Sequence, residues 1–146
     1  MEPILHLSIV VDDLETARAF YIDLLGCTPG RRAPDWMDVW FFGLQLTLQA
    51  QPEAFLNAAQ GGKRHFGVTL DRGTFDALTR RIDEAGVPWL DPVTTSSFGT
   101  PQEQTKGKLL DPSSNVLELK TYPNIGEALL PKPSDVPRGT SEAETP

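Results

Sequence analysis

The sequence predicts an α+β fold built from two copies of a βαβββ module, and three observations carry that expectation. The chain's two histidines open the same heptapeptide pattern, His6-Leu-Ser-Ile-Val-Val-Asp12 and His65-Phe-Gly-Val-Thr-Leu-Asp71. Helical periodicity follows each copy and stops at a glycine, Gly26 or Gly86, at nearly the same distance from its histidine. Short apolar or alternating stretches, separated by turn residues, then complete each copy.

The first copy opens with the β-branched, apolar run Ile4 to Val11, a strand signal. Asp12-Asp13-Leu14-Glu15 starts a helix, with an aspartate cap and Glu15 in capping-box position relative to Asp12. Leu14, Ala17, Tyr21, Leu24 and Leu25 continue at helical spacing, and Gly26 is the expected stop. Strands are expected at Cys27 to Arg32, Trp36 to Phe42 and Leu44 to Ala50, with Gly43 as a turn. In the last of these Leu44, Leu46 and Leu48 share one face, and Gln45, Thr47 and Gln49 the other.

The second copy repeats the order. His65 to Leu70 reads as a strand, and Phe75, Leu78, Ile82 and Ala85 as a helix ending at Gly86. A short strand at Val87 to Leu90, another at Gln104 to Leu110 and a final one at Val116 to Thr121 follow. Asp111-Pro112-Ser113-Ser114-Asn115 is a turn by composition. Residues 1–122 thus read as one domain of two modules, about 1–50 and 64–122, joined by a linker over 51–63 that contains Gly61-Gly62. From residue 123 to 146 proline, serine, threonine and glutamate dominate, which reads as a peripheral tail. Ile125, Leu129 and Leu130 are the tail residues suited to docking on the body.

Composition narrows the partners. The chain has 146 residues, 39% hydrophobic and 8% aromatic, as a globular domain requires, and no apolar run approaches a membrane span. A net charge of −7 disfavours nucleic acid and anionic lipid, because affinity for both comes mainly from neutralising phosphate. A small-molecule substrate is the expected partner. The single cysteine, Cys27, forms no internal disulfide; it suits a reducing cytoplasm and reads as a small packing residue. The opening Met1-Glu-Pro lacks the basic and apolar regions of a signal peptide, so a cytoplasmic location is expected.

Strand parity places the chemistry. His6 shares a face with Ser8, His65 with Gly67 and Thr69, and Glu118 with Val116 and Lys120, while the leucines and valines between them oppose it. Each strand has a greasy face for a helix and a semi-polar face, and the three candidate metal ligands all lie on the latter. If the sheet curls, that face lines a cavity. Two histidines in the same register of a repeat are side chains that a pseudo-twofold brings to one point. Trp36, Asp38 and Trp40 fall together as possible substrate walls, and Lys106 and Lys108 on a strand that would edge the cavity. Arg31-Arg32 and Arg80-Arg81 read as solvated charges.

The segment from His6 through Asp12-Asp-Leu-Glu-Thr-Ala-Arg-Ala-Phe-Tyr21 to Gly26 resembles the opening strand and helix of the vicinal oxygen chelate superfamily. Its members include glyoxalase I, bleomycin-resistance, fosfomycin-resistance and extradiol dioxygenase proteins. His65-Phe-Gly-Val and Asp111-Pro-Ser-Ser-Asn115-Val-Leu-Glu118 resemble the second half, the latter matching the terminal Asp-Pro-x-Gly-Asn-x-x-Glu hairpin. The resemblance covers about residues 4–122. Ser114 stands where glycine is usual, a departure that a turn with a different φ would absorb.

That resemblance implies two βαβββ modules forming a curved mixed sheet around a central cavity that holds a divalent metal. It also implies His6, His65 and Glu118 as metal ligands, with Glu118 at the catalytic centre. Two imidazoles and a carboxylate suit iron, manganese, zinc or nickel, and the ligands alone do not choose among them. Glyoxalase I-like members place a glutamate on the last strand of the first module. Here that face offers only Gln45, Thr47 and Gln49, so a three-ligand triad is expected in place of a four-ligand site.

Such a metal acts as a Lewis acid on a substrate that chelates through adjacent oxygens. Lyase, isomerase and dioxygenase chemistry all remain open, with Tyr21, Tyr122, Lys120 or Glu103 as possible acid–base groups. The alternatives to an enzyme are a metal-free, bleomycin-resistance-like small-molecule binding protein using Trp36, Trp40 and Phe42, and a metal-stabilised relic without turnover. Members of the superfamily often pair, and the linker is long enough to exchange modules between chains, so a homodimer is expected.

Overall fold

The computed structural model describes residue 1 and residues 3–54 and 62–129. The expected linker therefore falls partly outside the described residues, at 55–61 with Gly61, and so does the tail from Leu130 onward.

The first half of the chain runs β1 (His6–Val11), α1 (Leu14–Arg18) continuing as a π-helical turn over Ala19–Leu24, β2 (Thr28–Arg32), β3 (Trp36–Phe41) and β4 (Leu44–Ala50). The second half runs β5 (Phe66–Thr69), α2 (Arg72–Glu84), β6 (Trp89–Ser96), β7 (Gln104–Leu110) and β8 (Val116–Thr121), followed by the short α3 (Ile125–Leu129). The two βαβββ units form two four-stranded mixed sheets with the orders β1-β4-β3-β2 and β5-β8-β7-β6, not closed into a barrel. The α+β expectation holds. In both sheets the histidine-bearing strand pairs in parallel with the last strand of its unit and lies at the sheet edge.

The helix of each βαβββ unit is capped by an aspartate. Asp71 caps α2 by accepting from the Thr74 amide. In α1 the cap is Asp13, which accepts from the Thr16 amide at 2.7 Å. That shifts the expected capping box by one residue and frees Glu15 to pair with Arg32. Gly26 and Gly86 take positive φ at the helix stops as expected. The π turn brings two consecutive side chains, Phe20 and Tyr21, into the core, with their rings edge to face at 5.0 Å.

Several strand bounds differ from the sequence reading. β1 and β5 start two and one residues later than expected, so His65 lies just ahead of its strand. β6 is longer than expected, reaching Ser96 through Pro92. Pro92 is tolerated because β6 is an edge strand, where a missing amide leaves no ladder bond unmade.

The helices cover one face of each sheet. Met37, Val39, Phe41, Leu46 and Leu48 are buried beneath α1, and Leu109, Leu117 and Leu119 are buried with Phe75, Leu78 and Ile82 of α2. The halves meet through polar bonds as well as apolar packing. The buried Tyr21 hydroxyl donates to Asp111 at 2.8 Å, and Asn115 Nδ2 donates to the carbonyl of Val10 at 2.9 Å. Asp111 also accepts from the amides of Ser113 and Asn115, so the β7–β8 turn is the hinge-pin of the junction. Burial raises the Asp111 carboxyl above its ordinary range, with these bonds opposing the shift.

In that turn Ser114 adopts φ 66°, the left-handed conformation glycine would use. The departure from the family's glycine is thus not absorbed by a different φ; the serine bears the strain itself.

Candidate metal centre

Main-chain register fixes which residues of the two halves are equivalent. In the first sheet Ser8 pairs with Thr47, which pairs with Asp38. In the second, Gly67 pairs with Glu118, which pairs with Lys108. His6 and His65 each stand two residues before the first member of these rows. Of the three residues proposed for the fourth family position, Thr47 is therefore the counterpart of Glu118. Its hydroxyl is already committed, donating to Asp38 Oδ1 at 2.6 Å.

Each histidine sets Nδ1 against a main-chain carbonyl, but at non-equivalent places, His6 across the ladder to β4 and His65 two residues back in its own segment. His6 Nδ1 lies 3.2 Å from the carbonyl of Gln45, and His65 Nδ1 lies 2.9 Å from the carbonyl of Lys63. A carbonyl only accepts, so Nδ1 is the donor in each bond, and in a neutral ring Nε2 then holds the lone pair. Both rings are exposed. A main-chain acceptor on one nitrogen and an open lone pair on the other is the arrangement of an imidazole ready to ligate a metal.

Glu118 is 7% exposed and lies on the polar face of β8. It shares a recess of about 210 Å³ with His65, Gly67, Thr69 and Lys120. The close approach of β5 to β8 requires glycine beside it: a Cβ at Gly67 would lie 1.8 Å from the carbonyl oxygen of Glu118. The Glu118 carboxylate faces Lys120 Nζ at 3.6 Å and Lys106 Nζ at 3.9 Å. Lys108 instead pairs with Asp91 at 3.3 Å.

The structure therefore brings His65 and Glu118 into one recess, and His6 does not line it. Among the described residues no three histidine, cysteine or carboxylate side chains are gathered as a metal would require. The reason is topological, since His6 and His65 belong to the edges of two separate sheets. The residue types suit a divalent ion, but the described residues do not gather them at one point.

The polar face of the first sheet carries a second cluster. Asp38 is 4% exposed and accepts from Thr47, from Arg31 Nε at 2.9 Å and from Gln45 Nε2 at 3.3 Å. Desolvation opposes its ionisation, yet the bonds from Thr47, Arg31 and Gln45 together outweigh that effect and hold the carboxyl below its ordinary range. The Arg31 guanidinium also lies 5.3 Å from the Trp36 ring centroid. Arg31 and Arg32 are exposed, as expected of solvated charges, and they also pair with Asp38 and Glu15. Arg81 likewise reaches the carbonyl of Leu24.

Several proposed acid–base groups are placed elsewhere. Tyr21 is fully buried at the junction, where desolvation and the neighbouring Asp111 push its phenol well above the ordinary range. Glu103 accepts from the amide of Gly99, tying down its own loop. Tyr122 lies with Arg72 and Thr121 at a different depression. Of the four, only Lys120 faces the recess. Cys27 is buried and its thiol is pushed up to about 12 by burial, which suits the packing role expected of it.

Comparison with known proteins agrees with this architecture. Residues 3–119 match the model of the Glyoxalase/Bleomycin resistance protein/Dioxygenase superfamily. The chain belongs to that superfamily.

Among solved structures, a glyoxalase/bleomycin resistance protein/dioxygenase from Alicyclobacillus acidocaldarius is 34% identical, with a TM-score of 0.75 over 84% of this chain and 92% of that one. A genomically encoded fosfomycin resistance protein, FosX, from Listeria monocytogenes has a TM-score of 0.70 at 17% identity, over 88% of this chain and 99% of that one. A lactoylglutathione lyase from Agrobacterium tumefaciens has a TM-score of 0.59 at 18% identity, over 83% and 94%. The last two share the fold alone. Comparison with curated proteins gives no match. No helix among the described residues of this superfamily member is long and apolar enough to cross a membrane.

Proposed function

We propose that this superfamily member is a metal-dependent enzyme acting on a small oxygen-chelating substrate, with lyase, isomerase or dioxygenase chemistry. His6, His65 and Glu118 are its metal ligands, and Glu118 stands at the catalytic centre. Residues 1–122 act as one domain with 123–146 as an appended tail, and the protein works in the cytoplasm. The observation that carries this reading is the pair of imidazoles anchored through Nδ1. Both histidines bond a main-chain carbonyl through Nδ1 and offer Nε2 from equivalent positions of a repeat.

The site is completed in a homodimer. β1 and β5 are edge strands, each with one side of its ladder unused. A twofold that sets β1 of one copy beside β5 of another generates two identical sites. Each then takes its first histidine from one chain and its second histidine and glutamate from the other. When bound, a divalent iron, manganese, zinc or nickel ion would supply Lewis acidity to a carbonyl, enolate or diol oxygen.

Elemental analysis of protein purified without chelator tests this reading. Near-stoichiometric metal that is lost in Glu118→Gln is the expected result. Mixed dimers isolated from co-expressed His6→Ala and His65→Ala chains should recover about half of the wild-type metal, because one site of each mixed dimer keeps all three ligands. Absence of metal in folded wild-type protein would overturn the enzyme and leave the binding protein. That second reading is favoured by one observation, the lysines that already neutralise Glu118 without a metal.

A further inference from the structure

The second sheet carries another recess, on the opposite face of β8 from Glu118. Thr121 shares the face of Leu117 and Leu119, the one that α2 covers. A recess of about 560 Å³ opens there between the first turn of α2 and the approach to α3, and Asp71, Arg72, Thr105, Thr121, Tyr122 and Ile125 help to line it. Thr121 is 1% exposed, and its hydroxyl has no hydrogen-bond partner among the described residues. A buried hydroxyl without a partner costs free energy, and the fold does not demand one here. Ala50 is its counterpart in the first unit, standing to Thr47 as Thr121 stands to Glu118. The neighbouring Thr105 hydroxyl is already engaged, with Thr95 at 2.8 Å and Arg72 Nη1 at 3.4 Å. Arg72 Nε donates to Asp76 at 3.0 Å, which leaves Nη2 without a partner among the described residues. Beside it Asp71 caps α2, and the bonds from the Thr74 hydroxyl and amide hold its carboxyl below the ordinary range. Two consecutive residues thus set an anion and a cation against an apolar wall of Tyr122 and the half-exposed Ile125. A plain anion in the recess would be repelled by Asp71 and a plain cation by Arg72, whereas a molecule carrying both charges suits both.

We infer that this recess binds the zwitterion of a free apolar amino acid. The ligand's carboxylate accepts from Arg72 Nη2 and from the Thr121 hydroxyl, its ammonium donates to Asp71, and its side chain lies on Tyr122 and Ile125. A staggered step of χ1 turns the Thr121 hydroxyl from its buried position toward the ligand. The site goes beyond the proposed metal chemistry and does not depend on it, because it lies behind the strand face that carries Glu118.

The test is calorimetric titration of the purified protein with L-leucine, with N-acetyl-L-leucine, which lacks the ammonium, and with L-leucinamide, which lacks the carboxylate. L-leucine is expected to bind, and each derivative to bind at least about tenfold more weakly. Thr121→Val and Arg72→Met should each weaken L-leucine binding about tenfold at unchanged circular dichroism, while Thr121→Ser should keep most of the affinity. Binding should persist in EDTA, which separates this site from any metal held by Glu118. No binding of L-leucine at millimolar concentration, equal affinity for either derivative, full affinity in both Thr121→Val and Arg72→Met, or loss of binding in EDTA overturns the inference.

Discussion

The two sheets share a backbone plan and differ in the chemistry of their polar faces. Ser8, Thr47 and Asp38 occupy one row of the first sheet, and Gly67, Glu118 and Lys108 the matching row of the second. In the first, the acidic group is on β3, buried and bonded by three donors. In the second, it has moved to β8, where among the described residues lysines alone face it, beyond hydrogen-bond distance. A carboxylate satisfied by three donors is structural, whereas one held only by loose ion pairs can exchange them for a ligand. The repeat supplies position, and divergence within it supplies reactivity.

The sharpest way to break the comparison is at its first column. Gly67→Ala places a methyl group 1.8 Å from the Glu118 carbonyl oxygen, so the β5–β8 ladder must separate. We expect a loss of about 3 kcal/mol or more in urea unfolding. Ser8→Ala, the matching change in the first sheet, alters an exposed side chain and should stay within about 0.5 kcal/mol. Similar losses for both variants would dissolve the distinction between the rows.

A smaller effect is expected at Asp38. Removing its charge with Asp38→Asn should cost about 1–2 kcal/mol at neutral pH. Because folding lowers this carboxyl's pKa, its contribution is present above the ordinary aspartate value of 3.8 and is lost as pH falls through the folded-state value. The gap between wild-type and variant urea midpoints should therefore narrow as pH drops from about 6 to about 3. A gap that widens on acidification would contradict the assigned bonds.

The smallest change concerns the two β-hairpin turns. The first sheet turns through Phe42 and Gly43, both at positive φ, and the second places Ser114 at φ 66°. Ser114→Gly should raise stability by up to about 1 kcal/mol, read as a higher melting temperature with unchanged metal content. A lower melting temperature would mean that the serine earns its place through contacts beyond the turn.

Much of this molecule is legible in its sequence because the signals are local. The heptapeptide repeat, aspartate caps and terminal glycines identified both βαβββ units, and strand parity assigned His6, His65 and Glu118 to the semi-polar faces. Local signals failed where the determinant was not local. The extent of β6 depended on its being an edge, which no property of Pro92 announces. The partners of Arg31 and Asp38 became visible only when β2 and β3 were laid side by side.

Sequence by itself determined the periodicities, and hence the units, their order and the residues available for chemistry. Tertiary structure decided which of those residues meet. Register made Thr47, not its neighbours, the counterpart of Glu118, because hydrogen-bonded ladders align residues that sequence separation cannot. Sheet order left the two histidines on separate edges, because each β1-like strand pairs inside its own unit and presents its other side outward.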